Sequence, residues 1–243
     1  MSKKTGKGKS FNEEAFLDKL KTAFKENLHS IMIYGSYVSG NFVEGVSDVN
    51  ILILIKEPLI EQIESFGISA HKMMRRNKIT PLILTKSEFI NSADVFPMEY
   101  LEIKDNKKVL YGEDETKTLT LKSKNLRHQL EDRLRGNVTS LRQLIIASGG
   151  KEKILGNNLK NWFGSLNALF KGLLRLKEST PVPSSGKDTV EKIGEVFQFD
   201  INPFLDFIKF RSGEKINPKI LTHNLLASLE NLVSIIDKMD FKP

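Results

Sequence analysis

The chain has 243 residues, 40% of them hydrophobic, enough to bury a core as one domain or two. It contains no cysteine, which excludes disulfides, thiolate metal sites and a cysteine nucleophile and fits a reducing, cytoplasmic setting. The net charge of +7 favours polyanionic partners, nucleic acid or nucleotide phosphates, although Lys3, Lys4, Lys7 and Lys9 supply over half of that excess.

In chain order, residues 1–11 are basic with no apolar run behind them, and read as a disordered tail rather than a signal peptide. From Asn12 to Lys25, Phe16, Leu17, Leu20 and Phe24 recur at helical spacing. The apolar run Ile31-Met32-Ile33-Tyr34 follows as a buried strand that stops at Gly35-Ser36. A glycine-rich segment reaches Ser47, and Val49 to Ile55 forms the next strand. That run is broken by Asn50 and ends at Lys56, well short of the about 18 apolar residues that a membrane-spanning helix requires. A helix from Pro58 to about Arg76, a strand from Ile79 to Leu84 and a short helix opened by Ser87-Glu88 come next. Tyr100 to Ile103 and Lys108 to Tyr111 are then predicted as two strands of a hairpin turning at Asp105-Asn106.

Composition shifts at Gly112-Glu113-Asp114-Glu115, and beyond it the spacing is helical throughout. Leu126, Leu130, Leu134, Val138, Leu141 and Ile145 form one apolar stripe; Leu159, Trp162, Phe163, Leu166, Phe170, Leu173 and Leu174 form a second. Gly149-Gly150 and the proline-containing stretch from Ser179 to Gly186 end these helices, and helices at Thr189–Phe197 and 218–239 complete a bundle. The fold class is therefore a mixed α/β (α+β) domain over 12–115 followed by an all-α helical bundle over 116–243.

The chemistry is concentrated between Ile31 and Ile55. Gly35, placed after a buried strand, lets the backbone approach a ligand, and the amides opening the next helix together with the Ser36 hydroxyl make a phosphate-binding corner. Asp48 and Asn50, two apart on a strand, put two oxygen donors on one face while Val49 and Ile51 point to the core. Such a pair facing a phosphate cradle is the donor arrangement that magnesium-dependent phosphoryl transfer uses.

Gly35-Ser36 followed a dozen residues later by Asp48-Val49-Asn50 resembles the signature of the DNA polymerase β-like nucleotidyltransferase superfamily, Gly-Ser and then Asp-x-Asp. The order of elements extends the likeness to about Tyr111, with helices following as in the kanamycin nucleotidyltransferase type. The resemblance implies transfer of a nucleoside monophosphate from a nucleoside triphosphate to a hydroxyl acceptor, with two magnesium ions held by three carboxylates. Gly35 and Ser36 would contact the nucleotide, Asp48 would bind metal, and Asp48 with Asn50 would occupy the catalytic positions.

Two departures weigh on that activity. Asn50 stands where the signature has its second aspartate, and Ile79-Thr80-Pro81-Leu82-Ile83-Leu84, where the family carries its third acid, contains none. An amide oxygen is a poorer ligand for a hard cation than a carboxylate, so magnesium binding is expected to be weak or lost, leaving a nucleotide-binding cleft in an impaired enzyme. Two alternatives stay open. One is an active enzyme that recruits Glu44, Glu99 or Glu102 as a substitute acid. The other is an interaction or nucleic-acid-binding protein that uses its helical half.

Bland readings compete with each singled-out residue. Asp48 after Ser47 suits a helix or turn cap, and Asn50 suits satisfaction of buried polar groups. His29, His71, His128 and His223 show no ligand spacing, Trp162 sits at core spacing, and Lys72, Arg75, Arg76 and Lys78 suit the end of a solvated helix. Arg127, Arg133, Arg135 and Arg142 carry a second reading as phosphate contacts.

Overall fold

The structure is a computed structural model that describes residues 11–40, 42, 47–162, 166–177, 182–183 and 185–239. The described residues divide into two compact units: one formed by residues up to Asp94 with Glu99–Thr120, the other by Val95–Met98 with residues from Leu121 onward.

The first unit begins with helix α1 (Glu13–Phe24), whose N-cap Asn12 accepts from the Ala15 amide at 2.9 Å. Phe16, Leu20 and Phe24, four residues apart, form one fully buried stripe. Strand β1 (Leu28–Tyr34) follows, then a single helical turn α2 (Ser36–Ser39), strand β2 (Val49–Ile55), helix α3 (Ile60–Asn77) and strand β3 (Ile79–Thr85). Helices α4 (Lys86–Asn91) and α5 (Pro97–Asp105) precede strand β4 (Lys107–Tyr111). The four strands lie in the order β3-β2-β1-β4; β1 is antiparallel to β2 and to β4, and β2 is parallel to β3. Helix α3 is the crossover that the parallel pair requires.

One face of the sheet, with Ile31, Ile33, Val49, Ile51, Ile53 and Ile55, packs into a single cluster with α1 and α3. Phe66 of α3 lies at its centre, with ring centroids 5.7 Å from both Phe16 and Phe24. The opposite face carries Met32, Leu52 and Leu54, also fully buried, on the side where α4 contacts β2 and β3. Burial on both faces explains why β2 reads as an unbroken apolar run.

Several expectations change. The segment Tyr100–Ile103 is helical, part of α5. Pro97 occupies the first helical position, where its missing N–H costs nothing. Tyr100 and Ile103 are buried three apart, and Tyr100 stacks on Phe89 at 4.7 Å. There is therefore no hairpin at Asp105-Asn106; β4 pairs with β1 instead. Asp48 precedes β2, which begins at Val49. Of the expected tail, residues 1–10 lie outside the described residues, but Phe11 is buried edge-on against Phe16 at 5.5 Å.

The second unit holds α6 (Ser123–Ser148), α7 (Glu152–Trp162), α8 (Leu166–Leu176), α9 (Gly186–Phe197), α10 (Asn202–Arg211) and α11 (Pro218–Asp237). Leu126, Leu130, Leu134, Val138 and Leu141 form the buried stripe of α6, which packs on α8 and α11. Phe163, expected in the second stripe, lies outside the described residues. Helix α10 is an addition: no helix is predicted between Phe197 and Pro218, yet Phe204, Phe207 and Phe210 are buried at three-residue spacing behind Pro203 in the first turn. No helix among the described residues is long and apolar enough to cross a membrane.

Phe66→Ala removes the ring on which α1, α3 and the sheet converge. It is expected to lower unfolding stability by about 3–5 kcal/mol, as urea denaturation monitored by circular dichroism would measure.

Candidate nucleotide site at the Gly35 turn

The site is built where β1 ends. Gly35 has φ +79° and ψ −144°, a backbone conformation that side-chain-bearing residues avoid. The Asn50 amide nitrogen lies 3.3 Å from where a β-carbon on Gly35 would stand, so any side chain there would press on Asn50. Gly35 N–H donates to the Asn106 carbonyl at 2.9 Å, and its own carbonyl accepts from the amides of Val38 and Ser39 at 3.1 and 3.0 Å. These bonds fold Ser36–Ser39 into one turn whose leading amides, Ser36 and Tyr37, have no carbonyl one turn back to bind. Tyr37 anchors the turn, its ring packing edge-on against Phe11 at 6.1 Å and Phe42 at 5.2 Å. The Gly-Ser corner expected from the sequence is thus a backbone turn held by Asn106, a contact that the sequence does not reveal.

Strand register brings four polar side chains into one row across the sheet. Tyr34 pairs with Asn50 on one side and with Lys107 on the other, and Asn50 pairs with Thr80. Residues paired across neighbouring strands share a face, so Thr80, Asn50, Tyr34 and Lys107 line the same side beside Gly35. Val49 and Ile51 alternate into the α1–α3 core as expected. Asp48 is exposed at the entry to β2, and a strand follows it rather than a helix, so it caps no helix. Thr80 and Pro81 stand on an edge of the sheet, the place where a proline within a strand is tolerated.

The electrostatics of the row are unlike those of a carboxylate platform. Burial raises the Tyr34 hydroxyl pKa above its ordinary value, and the Glu99 carboxylate raises it further. Lys107 is committed elsewhere: its ammonium donates to the Lys104 carbonyl at 2.9 Å and lies 3.4 Å from Asp114. Burial works to raise the Asp114 pKa, but hydrogen bonds from Thr116 and the charge of Lys107 outweigh it and leave the carboxyl lowered. Among the substitute acids, Glu102 accepts from the Asn106 side-chain amide at 3.0 Å, Glu99 is exposed on α5, and Glu44 lies outside the described residues. Among the described residues no three His, Asp or Glu side chains gather as a metal-ligand group. One exposed carboxylate, one amide and one hydroxyl do not fit a pair of magnesium ions, which take several carboxylate or phosphate oxygens.

The base of β1 is fixed by a cluster that the sequence does not announce. Glu115, only 2% exposed, accepts from Lys86 at 2.8 Å and lies 2.6 Å from His29 Nε2. Burial raises its pKa, yet the bonds and charges of Lys86 and His29 prevail and the net shift is downward. Beside it, the Ser30 hydroxyl donates to the Glu113 carbonyl at 2.7 Å, and Gly112, at φ +72°, passes so near that a β-carbon would meet the His29 carbonyl at 2.1 Å. Of the helix arginines, Arg135 binds Glu131 and Asp237, and Arg142 binds Glu230 at 2.7 Å. These two tie α6 to α11 instead of waiting for phosphates.

A unit with a mixed four-stranded sheet followed by a unit of helices is the two-domain fold of a solved adenyltransferase. The described architecture is similar to the crystal structure of spectinomycin adenyltransferase AAD(9) from Enterococcus faecialis with ATP and spectinomycin. The TM-score is 0.55 and the sequence identity 17%, covering 93% of this chain and 100% of that one. At this identity the likeness establishes the fold. No protein-family model and no curated protein matches the chain.

Glu115 contributes stability that is fully present above the unfolded carboxyl pKa and is lost as pH falls through its lowered folded value. Glu115→Gln is therefore expected to destabilise the first unit by about 1–3 kcal/mol near neutral pH. The gap from wild type should close in acid, as paired denaturation curves across that range would record.

Proposed function

We propose that this chain is a nucleotidyltransferase-like protein that binds a nucleoside triphosphate at the Gly35–Ser36 turn but is catalytically impaired, with magnesium held weakly by Asp48 or not at all. The observation that carries the reading is the row Thr80–Asn50–Tyr34. An amide and a hydroxyl stand side by side there, beside the Gly35–Ser36 turn, and this supports a site that has lost acids which the family resemblance calls for. Leading amides and a serine hydroxyl recognise phosphate oxygens without a metal, so binding can outlast catalysis. The solved neighbour was crystallised with ATP, which makes ATP the first nucleotide to test.

A second reading has one observation in its favour. Glu99 acts electrostatically on Tyr34, the residue paired with Asn50, so its charge reaches the row beside Asn50. With Asp48 it would form a reduced carboxylate set for nucleotidyl transfer to a hydroxyl acceptor, spectinomycin being the first to try. Under this reading Asp48→Ala and Glu99→Gln each abolish transfer.

Calorimetry of the four nucleoside triphosphates, with and without magnesium, distinguishes these readings. ATP is expected to bind wild type with little dependence on magnesium. Asn50→Asp, by restoring a carboxylate, is expected to raise affinity about tenfold when magnesium is added. If none of the four binds saturably under either condition, the nucleotide-binding reading is wrong.

A further inference from the structure

A groove on the far side of the first unit's sheet carries a separate signal. Helices α1 and α3 cover the face that bears Ile31, Ile33, Val49 and Ile51, whereas Asn50 and Tyr34 alternate to the other face. Between the outer surfaces of the two helices lies a cavity of about 420 Å³, and one of about 430 Å³ adjoins it through Lys19 and Ser69. The first is lined by Lys19 of α1 and by Lys72 and Arg76 of α3, with Asn12 and Asn77 beside them. Among the described residues no carboxylate lines it; the second cavity has one, Asp18.

Lys72 and Arg76 stand four apart on α3 and therefore on one face, a like-charge spacing that destabilises a helix unless something opposes it. Among the described residues none of Lys19, Lys72 and Arg76 forms an ion pair, although Lys108 of β4 does, with Glu13 at 2.6 Å. Asn12 uses its side-chain oxygen as the α1 cap, which leaves its amide hydrogens available as donors. Asn77 instead spends its amide on the Met73 carbonyl at 2.8 Å. Three cations and an amide donor around a space of small-ligand size form a receptor for a compact, highly charged anion.

We propose that this groove is a second anion site, taking a small ligand with two or more linked phosphate groups through Lys19, Lys72 and Arg76. It is separate from the Gly35 turn and does not depend on nucleotide binding there. Inorganic pyrophosphate, without magnesium, is the direct probe.

Calorimetry at low ionic strength is expected to show saturable pyrophosphate binding that weakens about tenfold or more in Lys72→Ala/Arg76→Ala. Ser36→Ala and Asn50→Asp should leave it unchanged. Because the substituted side chains are exposed, thermal unfolding should stay at the wild-type temperature. Adenosine diphosphate serves as a second arm: tighter binding than pyrophosphate with the same loss assigns the phosphates to a nucleotide, and equal binding assigns them to a free polyphosphate. The proposal is overturned if pyrophosphate does not saturate, or if it binds the double variant as well as wild type. It is equally overturned if binding is lost on replacing Lys3, Lys4, Lys7 and Lys9 by alanine, or if an oligonucleotide binds the groove more tightly than pyrophosphate. Failure here leaves the ATP result standing, and failure of ATP to bind leaves this result standing.

Discussion

The close approach of Gly35 to Asn50 is the constraint around which the first unit is arranged. At φ +79° the chain leaves β1, donates to the Asn106 carbonyl and turns back so that its own carbonyl collects the amides of Val38 and Ser39. The Asn50 amide nitrogen lies 3.3 Å from where any other residue would put its β-carbon, tighter than an ordinary contact. The end of α5, the start of α2 and the start of β2 are thereby held against one backbone position. That position has to be rigid if a phosphate is to meet preplaced amides, because ordering them at the moment of binding would cost affinity.

Around this point the unit behaves as a braced plate. The α1–α3 aromatic cluster fixes one face, and the buried Glu115 with Lys86 and His29 ties the foot of β1 to the start of α4. A carboxylate buried this deeply is held in its charged form by the Lys86 ammonium and by its bond with His29, so the brace is strongest when all three partners are present. The row across the sheet shows the opposite economy of charge. Its only ammonium, that of Lys107, is answered by Asp114, and the remaining members are a phenol, an amide and a hydroxyl. The row thus sets neutral side chains beside the Gly35 turn, and among the described residues no group of three metal-ligating side chains gathers there.

Much of this was legible in the residues. The two apolar runs around Gly35-Ser36, the alternation of Val49, Asn50 and Ile51, and the stripe from Leu126 to Leu141 each carry their own period, and each forms the element that the period implies. Tyr100 to Ile103 did not, since four residues with apolar ends fit a strand and one helical turn equally well, and the stacking of Tyr100 on Phe89 decided between them. Helix α10 was hidden by Pro203, which marks a break unless it lies in a first turn. The pairing of Thr80 with Asn50 depends on the register of two parallel strands joined by α3, and the Glu115 cluster joins residues 86 positions apart. Local spacing holds no information on either.

The Gly35 turn is proposed to bind a triphosphate without a two-metal centre. A crystal structure with a non-hydrolysable ATP analogue and excess manganese, with metal located by anomalous scattering, tests it most directly. The account predicts triphosphate oxygens on the Ser36 and Tyr37 amides, no metal on Asn50 or Thr80, and at most one manganese, on the phosphates and Asp48. Two manganese ions between the phosphates and a carboxylate pair that includes Glu99 would contradict it.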